Sequence, residues 1–413
     1  MIGPGAGELL LTPRAPHCQE GPCSNHHCVE TLSAHDPHNP AQHAHPRDGA
    51  DRLRAVFSHD VPGTIGVEEE VMLLDGATFD LRPDGPAVLA ADGPDVRFVT
   101  ELPAAQLEIV LPPLRSVADV ADALRDARRD LAARAAPSGA VLAGGGVHPF
   151  AAGVGALNDG PRYRAIAGEL AGVARRQLVF GLHVHVALAG PDAALAVYNA
   201  IREELPALAA LAANAPYYEG ADSGLASVRP ALNDLLPRHG IPPALESWEA
   251  VAALHAWGKR TGAVPDAGQW WWEARLHPVH GTLEVRACDT QATVTDTAAL
   301  VAVVHGLAGL LAARHAAGEL PAPAPAWRIA ENRWSASRHG VRGRWFDVRD
   351  GATRAMDDHL HALLDDLTPF VPADRLADAR DLVAHPRAER VRALLEAHGP
   401  RAAMGRMAGE FSG

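Results

Sequence analysis

TIGVEEEVMLL, residues 64–74, starts on β-branched and apolar residues, carries three consecutive glutamates and ends in an apolar run. Its composition and partial alternation read as a β-strand. Residues i and i+2 of a strand point to the same side, so Glu68 and Glu70 share one face. Two carboxylates so placed either face water or share a cation.

Working outward, VRFVTE (96–101), AQLEIVL (105–111), AVLAGGG (140–146) and LVFGLHVHVAL (178–188) read as further strands. QWWWEARLH (269–277) and GTLEVRACD (281–289) look like strands paired around a short turn. SVADVADALRDARRDLAARAA (116–136) places Val117, Val120, Leu124 and Leu131 at helical spacing. Further helices are expected near 161–175, after Pro191, and over 246–260, 295–317, 353–367 and 373–398, the last broken near Pro386. Strands and helices do not alternate at the spacing of parallel crossover units. The fold class is therefore α+β, an antiparallel sheet with helices packed on it.

Residues 1–60 differ from the rest. They hold eight of the 22 histidines and three of the four cysteines, with many Pro and Gly and no apolar period. This predicts a disordered His/Cys-rich tail, followed by one domain over 61–413. A metal-scavenging tail stays open as the alternative, since Cys and His are soft to borderline ligands.

Net charge is −13, which argues against a nucleic-acid binder. Of the 37 basic residues only Lys259 is a lysine, and no glycine cradle precedes it, so a Walker-type phosphate loop is excluded. Phosphate handling would fall to arginine and metal. No run of roughly 18 apolar residues is free of Gly, Pro, His or charge, which argues against a membrane span. The first residues lack a cationic start and a long apolar stretch, so a cytoplasmic protein is expected.

Glu68 and Glu70 are not alone. Glu108 sits inside the apolar run QLEIVLPPL, where a carboxylate is costly unless paired or metal-bound. Glu101 lies shortly before it. GLHVHV (181–186) puts His183 and His185 on one strand face, and GTLEVR does the same for Glu284 and Arg286. Five glutamates and one or two histidines on otherwise apolar strands would repel one another without a cation. Oxygen donors with little cysteine suit Mg²⁺ or Mn²⁺, and Mg²⁺ is commonly shared with a nucleotide phosphate. Trp270–Trp272, if on a strand, alternate faces, so one could stack on a nucleotide; core packing is the competing reading. Cys288 reads as a small buried residue.

GVEEE (66–70), the Glu101/Glu108 pair, GLHVHV, GTLEVRACD and NRWSASRHG (332–340) occur in an order that resembles the type 2 glutamate–cysteine ligases, the YbdK-type carboxylate–amine ligases. The resemblance covers the chain from about Gly63 to its C-terminal helices. It implies a glutamine-synthetase-like antiparallel sheet with helices on one side. It implies an ATP-dependent ligase using Mg²⁺ or Mn²⁺. A carboxylate, usually the γ-carboxylate of glutamate, is phosphorylated, and an amine such as that of cysteine displaces phosphate to give γ-glutamylcysteine. By motif, Glu68, Glu70, Glu101, Glu108, His183 and Glu284 become metal ligands. Arg286, Arg275 and Arg338 become clamps on phosphate or carboxylate. Asn214, Ser227 and Arg229, in NAPYYEGADSGLASVR (214–229), become substrate- or ATP-binding residues. Small molecules are the implied partners, without nucleic acid or membrane, and Ala/Leu-rich helices make a homodimer an expectation. A different amino acid and amine pair, or a guanidino-kinase-like phosphotransferase, stay open as alternatives. Nothing in the sequence marks a cysteine pocket.

Overall fold

The eleven-residue strand β1 (Ile65–Asp75) is the trunk of the fold. The computed structural model describes residues 46–412 apart from 60 and 92; the tail expected before residue 46 lies outside the described residues. The other strands are β2 (Phe98–Thr100), β3 (Gln106–Val110), β4 (Ala140–Ala143), β5 (Gly181–Val186), β6 (Tyr217–Tyr218), β7 (Ala221–Asp222), β8 (Ala274–His277), β9 (Thr282–Asp289), β10 (Arg344–Phe346) and β11 (Thr353–Ala355). Seven form one sheet in the order β2-β3-β1-β5-β9-β8, with β4 also paired to β1; β6-β7 and β10-β11 are separate hairpins. Every pairing in the large sheet is antiparallel, as the α+β reading requires. β1 carries β5 along its first half and β4 along its second, on the same edge.

Period two sorts β1. Val67, Glu69, Val71 and Leu73 face the main core, which is built with the helices Val117–Ala135, Pro191–Ile201, Leu205–Ala212 and Val294–Ala316. Val294–Ala316 is long and apolar enough to cross a membrane by length and composition, yet most of it is buried in the protein. On the opposite face, Met72 and Leu74 meet Met404 and Met407 of the helix Arg387–Ser412. That helix covers the far half of β1, and the near half, with Glu68 and Glu70, is left for the site.

Three expectations need correction. The helix Pro46–Val56 falls inside the stretch read as a tail, because Ala50 and Phe57 are buried and Phe57 packs on Trp248, 4.8 Å between rings. The strand expected over 269–277 is confined to Ala274–His277, because the tryptophans pack by stacking: Trp270 lies on Trp272 at 4.8 Å. The helix expected from 353 begins at Met356, because Thr353–Ala355 pairs with β10.

Candidate active site

Register assembles the acidic cluster. Glu70 stands directly opposite Glu108, Glu68 opposite His183, and His185 and Arg275 on either side of Glu284. Directly paired residues share a face, so five strands, β1, β3, β5, β8 and β9, deliver these side chains to one surface. Beyond Val285, β9 holds one more residue than its partner β5, a bulge just past Glu284. Arg286 reaches back to hydrogen-bond Glu284 and lies 3.3 Å from His183 Nδ1.

Two groups of ligand atoms result: Glu68, His183 and Glu284, and Glu70, Glu108 and His183. Within each, the atoms lie within 4.8 Å of one another. His183 belongs to both. Its Nδ1 is 3.2 Å from Glu68, and its Nε2 is buried without a hydrogen-bond partner. Glu101 is outside both groups and lines the adjoining cavity. Oxygen donors, one shared imidazole and an unpartnered ring nitrogen fit hard divalent cations such as Mg²⁺ or Mn²⁺.

The charges are poorly balanced without a cation. Burial, followed by repulsion from Glu68, Glu101 and Glu70, pushes the Glu108 carboxyl well above its usual range. Burial raises Glu70 to about 7 and also raises Glu101. Burial works in the same direction on Glu68 and Glu284, but His183 and His185 outweigh it at Glu68, and Arg286 and Arg275 at Glu284, so both are held low. Burial and Arg286 lower His183 to about 4, leaving it the neutral imidazole that metal binding needs. An acid raised by folding contributes stability below its unfolded value and loses it as pH rises through the folded one. Metal-free protein is therefore expected to lose thermal stability between about pH 5 and 8. Mg²⁺ should restore more at pH 8 than at pH 6. A melting series with Mg²⁺ or with chelator checks this; a Mg²⁺ shift that shrinks as pH rises would count against a metal at these carboxylates.

Two cavities open beside the cluster. One, of about 800 Å³, is lined by Glu70, Glu101, Arg162, His183, Arg229 and Arg286, together with apolar residues including Leu236 and Trp271. The second, of about 920 Å³, is mostly apolar, with Val61, Val110, Leu111 and Pro113 beside His59, His185, His280 and Glu68. Glu68 and Glu70, two residues apart on β1, thus face different cavities. Arg229 reaches the first because residue 181 is glycine: a Cβ there would sit 2.2 Å from Arg229 Nη2. The Gly181 N–H donates to Glu70.

The other expected residues separate into three kinds. Arg275 grips Glu284 and the Gly268 carbonyl. Asn214 and Ser227 are buried supports: Asn214 accepts from Gly146 N–H and donates to the Thr290 carbonyl, and Ser227 Oγ accepts from the Arg229 N–H. Neither lines the first cavity. Arg338 does not reach the cluster's cavity either; it lines another with Arg342 and Arg392 and donates to the Gly224 carbonyl. Arg333, five residues and about 140° earlier on the same helix, turns inward instead. It joins Glu273 and Asp234. Arg333, Glu273, Arg162 and His239 lie outside what the motifs point to. Glu273, a carboxylate inside the apolar stretch WWWEARL, carries a readable signal; Arg162 and His239 carry none, since only tertiary packing brings them here.

The acidic face lies on a sheet of the kind found in solved glutamate–cysteine ligases. The solved glutamate–cysteine ligase of Francisella tularensis in complex with AMP aligns at TM-score 0.63 and 13% identity, over 86% of this chain and 90% of that one. A bifunctional glutathione synthetase from Pasteurella multocida aligns at TM-score 0.60 and 15% identity, over 90% of this chain and 54% of that one. The chain belongs to glutamate–cysteine ligase family 2, whose model matches residues 64–395, and it is a carbon–nitrogen ligase. A Rubrobacter xylanophilus protein provisionally named glutamate–cysteine ligase 2-3 is 39% identical over 77% of this chain and 86% of its own length. A glutamate–cysteine ligase of Haloquadratum walsbyi is 36% identical over 68% and 79%.

Proposed function

We propose that this protein uses ATP to join the γ-carboxylate of glutamate to an amine through an acyl phosphate. Cysteine, which the relatives' names specify, is the first amine to test. The observation that carries the reading is the pair of unlike cavities meeting over one acidic cluster. The apolar cavity, with histidine rings in its wall, suits a nucleoside. The arginine-lined cavity suits an amino acid's carboxylates.

In this reading Glu68, Glu70, Glu108, His183 and Glu284 hold Mg²⁺ or Mn²⁺, with Glu101 completing the acidic wall. The cations supply charge neutralisation, letting two anions approach. A carboxylate oxygen attacks the γ-phosphorus and ADP leaves; the neutral amine nitrogen then attacks the carbonyl carbon, phosphate leaves, and the nitrogen gives up one proton to the departing phosphate. Arg286 and Arg229, which line the same cavity, would meet the charge that develops on the phosphoryl and carboxyl oxygens, and being fixed beforehand they need no reorganisation. Arg229 is braced by the Arg286 carbonyl at 3.1 Å and by Asp289 at 3.8 Å. Arg275 fixes Glu284. Asn214 and Ser227 position the segment that carries Arg229.

The test is ADP release with Mg²⁺ and ATP across a matrix of acids and amines, with product masses. ADP that depends on both partners, with a product equal to their sum less water, is the expected result. A phosphorylated acceptor that accumulates without an amide would replace the ligase by a kinase. ADP release that ignores both partners would sink the reading.

A further inference from the structure

In the arginine-lined cavity, Glu273 is buried and bonded through one oxygen only. Arg333 takes Oε1, while Oε2 has no hydrogen-bond partner although it is shut off from water. An unpaired buried carboxylate oxygen is costly, and it marks a place prepared for a donor. The neighbouring wall is apolar: Leu102, Pro103, Ile166, Leu170, Leu236 and Trp271. Trp271 is held by His239 at 5.8 Å on one ring contact and by the Arg238 guanidinium at 5.1 Å. Neither the proposed cation ligands nor the proposed anion clamps use Glu273 or this wall.

We propose that this corner binds the amine substrate, and that the amine carries an apolar or aromatic body rather than a small polar side chain. The proposal rests on the ligase reading above and names its second substrate class. Glu273 Oε2 accepts an N–H of the amine. The apolar wall takes the body, and the carboxylate to be activated lies across the cavity beside Glu70 and Arg286. A thiol gains little from six apolar side chains, whereas one well-fitted methylene is worth about 10- to 200-fold in specificity. An amino acid and a simple amine share the required chemistry and differ in the α-carboxylate, which Arg162, one turn before Ile166 on the helix Pro161–Leu170 and also lining the cavity, would read.

The experiment compares L-leucine with 3-methylbutylamine, L-phenylalanine with phenethylamine, and L-cysteine as reference. Each is given to the full chain with glutamate, ATP and Mg²⁺. At least one apolar amine should exceed cysteine in kcat/KM by about tenfold or more. Preference within each pair shows whether the α-carboxylate is read. Glu273→Gln and, separately, Trp271→Ala should raise the apolar amine's KM about tenfold while the KM for ATP moves less than twofold. Cysteine favoured over every apolar amine would overturn the inference and leave the ligase standing. Absence of ADP with every pair would overturn the ligase; calorimetric binding of phenethylamine, lost in Glu273→Gln, would still support the subsite, and no binding would overturn it.

Discussion

Glu108→Gln is expected to abolish Mg²⁺-dependent ATP turnover, by about a hundred- to a thousandfold or more, and at the same time to make the metal-free protein more stable. Glu108 is buried, stands directly opposite Glu70 across the strand pair, and is raised by burial and by three neighbouring carboxylates. Like charges set opposite one another destabilise a sheet. Glutamine keeps the shape and removes the charge. The gain should be about 1–3 kcal/mol at neutral pH, a rise of a few degrees in Tm. It should fade as pH falls toward the ordinary carboxylate range, where Glu108 is protonated in folded and unfolded chains alike. With Mg²⁺ present the order should reverse, because the cation stabilises wild type more than the variant. Melting curves at two pH values with and without Mg²⁺, together with ADP release, separate the explanations. Lost activity with lost metal-free stability would mean that Glu108 supports the fold rather than a cation; wild-type turnover would remove it from the site.

That signature depends on features that are legible in the order of the residues alone. Period-two alternation puts Glu68 and Glu70 on one face, His183 and His185 on one face, and Glu284 and Arg286 on one face. An apolar setting marks Glu108 as a carboxylate needing a reason. What alternation does not supply is register, and register is what sets Glu70 against Glu108 and Glu68 against His183. Helical phase is equally silent in the sequence: NRWSASRHG holds two arginines, and only the packed helix shows that Arg333, not Arg338, turns toward the cavity side. Arg162 and His239 lie far apart in the chain and come to line one cavity only through packing. His239 is then kept neutral, at about 3, by burial and by Arg286, Arg229, Arg333 and Arg238.

The middle glutamate of GVEEE carries the second large expectation. Glu69 points away from the acidic face, into the main core, and is fully buried. Arg128 meets it there with two nitrogens, at 2.9 Å for Nε, and also donates to the Gln291 and Ala292 carbonyls and to Thr297. Thr297 donates to Glu69 in turn, and the guanidinium lies 3.9 Å over the Phe411 ring. One ion pair thus ties β1, the helices Val117–Ala135 and Val294–Ala316, and the C-terminal helix together. Arg128→Met keeps much of the volume but strands a buried carboxylate, and should cost about 3–5 kcal/mol. The double variant Arg128→Met, Glu69→Leu removes both charges and should recover most of that loss, since replacing a whole buried pair by apolar side chains is often close to neutral. Denaturant unfolding of the two variants gives the comparison. Equal losses would show that the pair acts through its hydrogen bonds to Thr297, Gln291 and Ala292 rather than through charge compensation. A loss under about 1 kcal/mol in Arg128→Met would mean that water reaches Glu69. The three glutamates of GVEEE therefore divide by parity: the outer two face the acidic cluster, and the middle one anchors the strand that presents them.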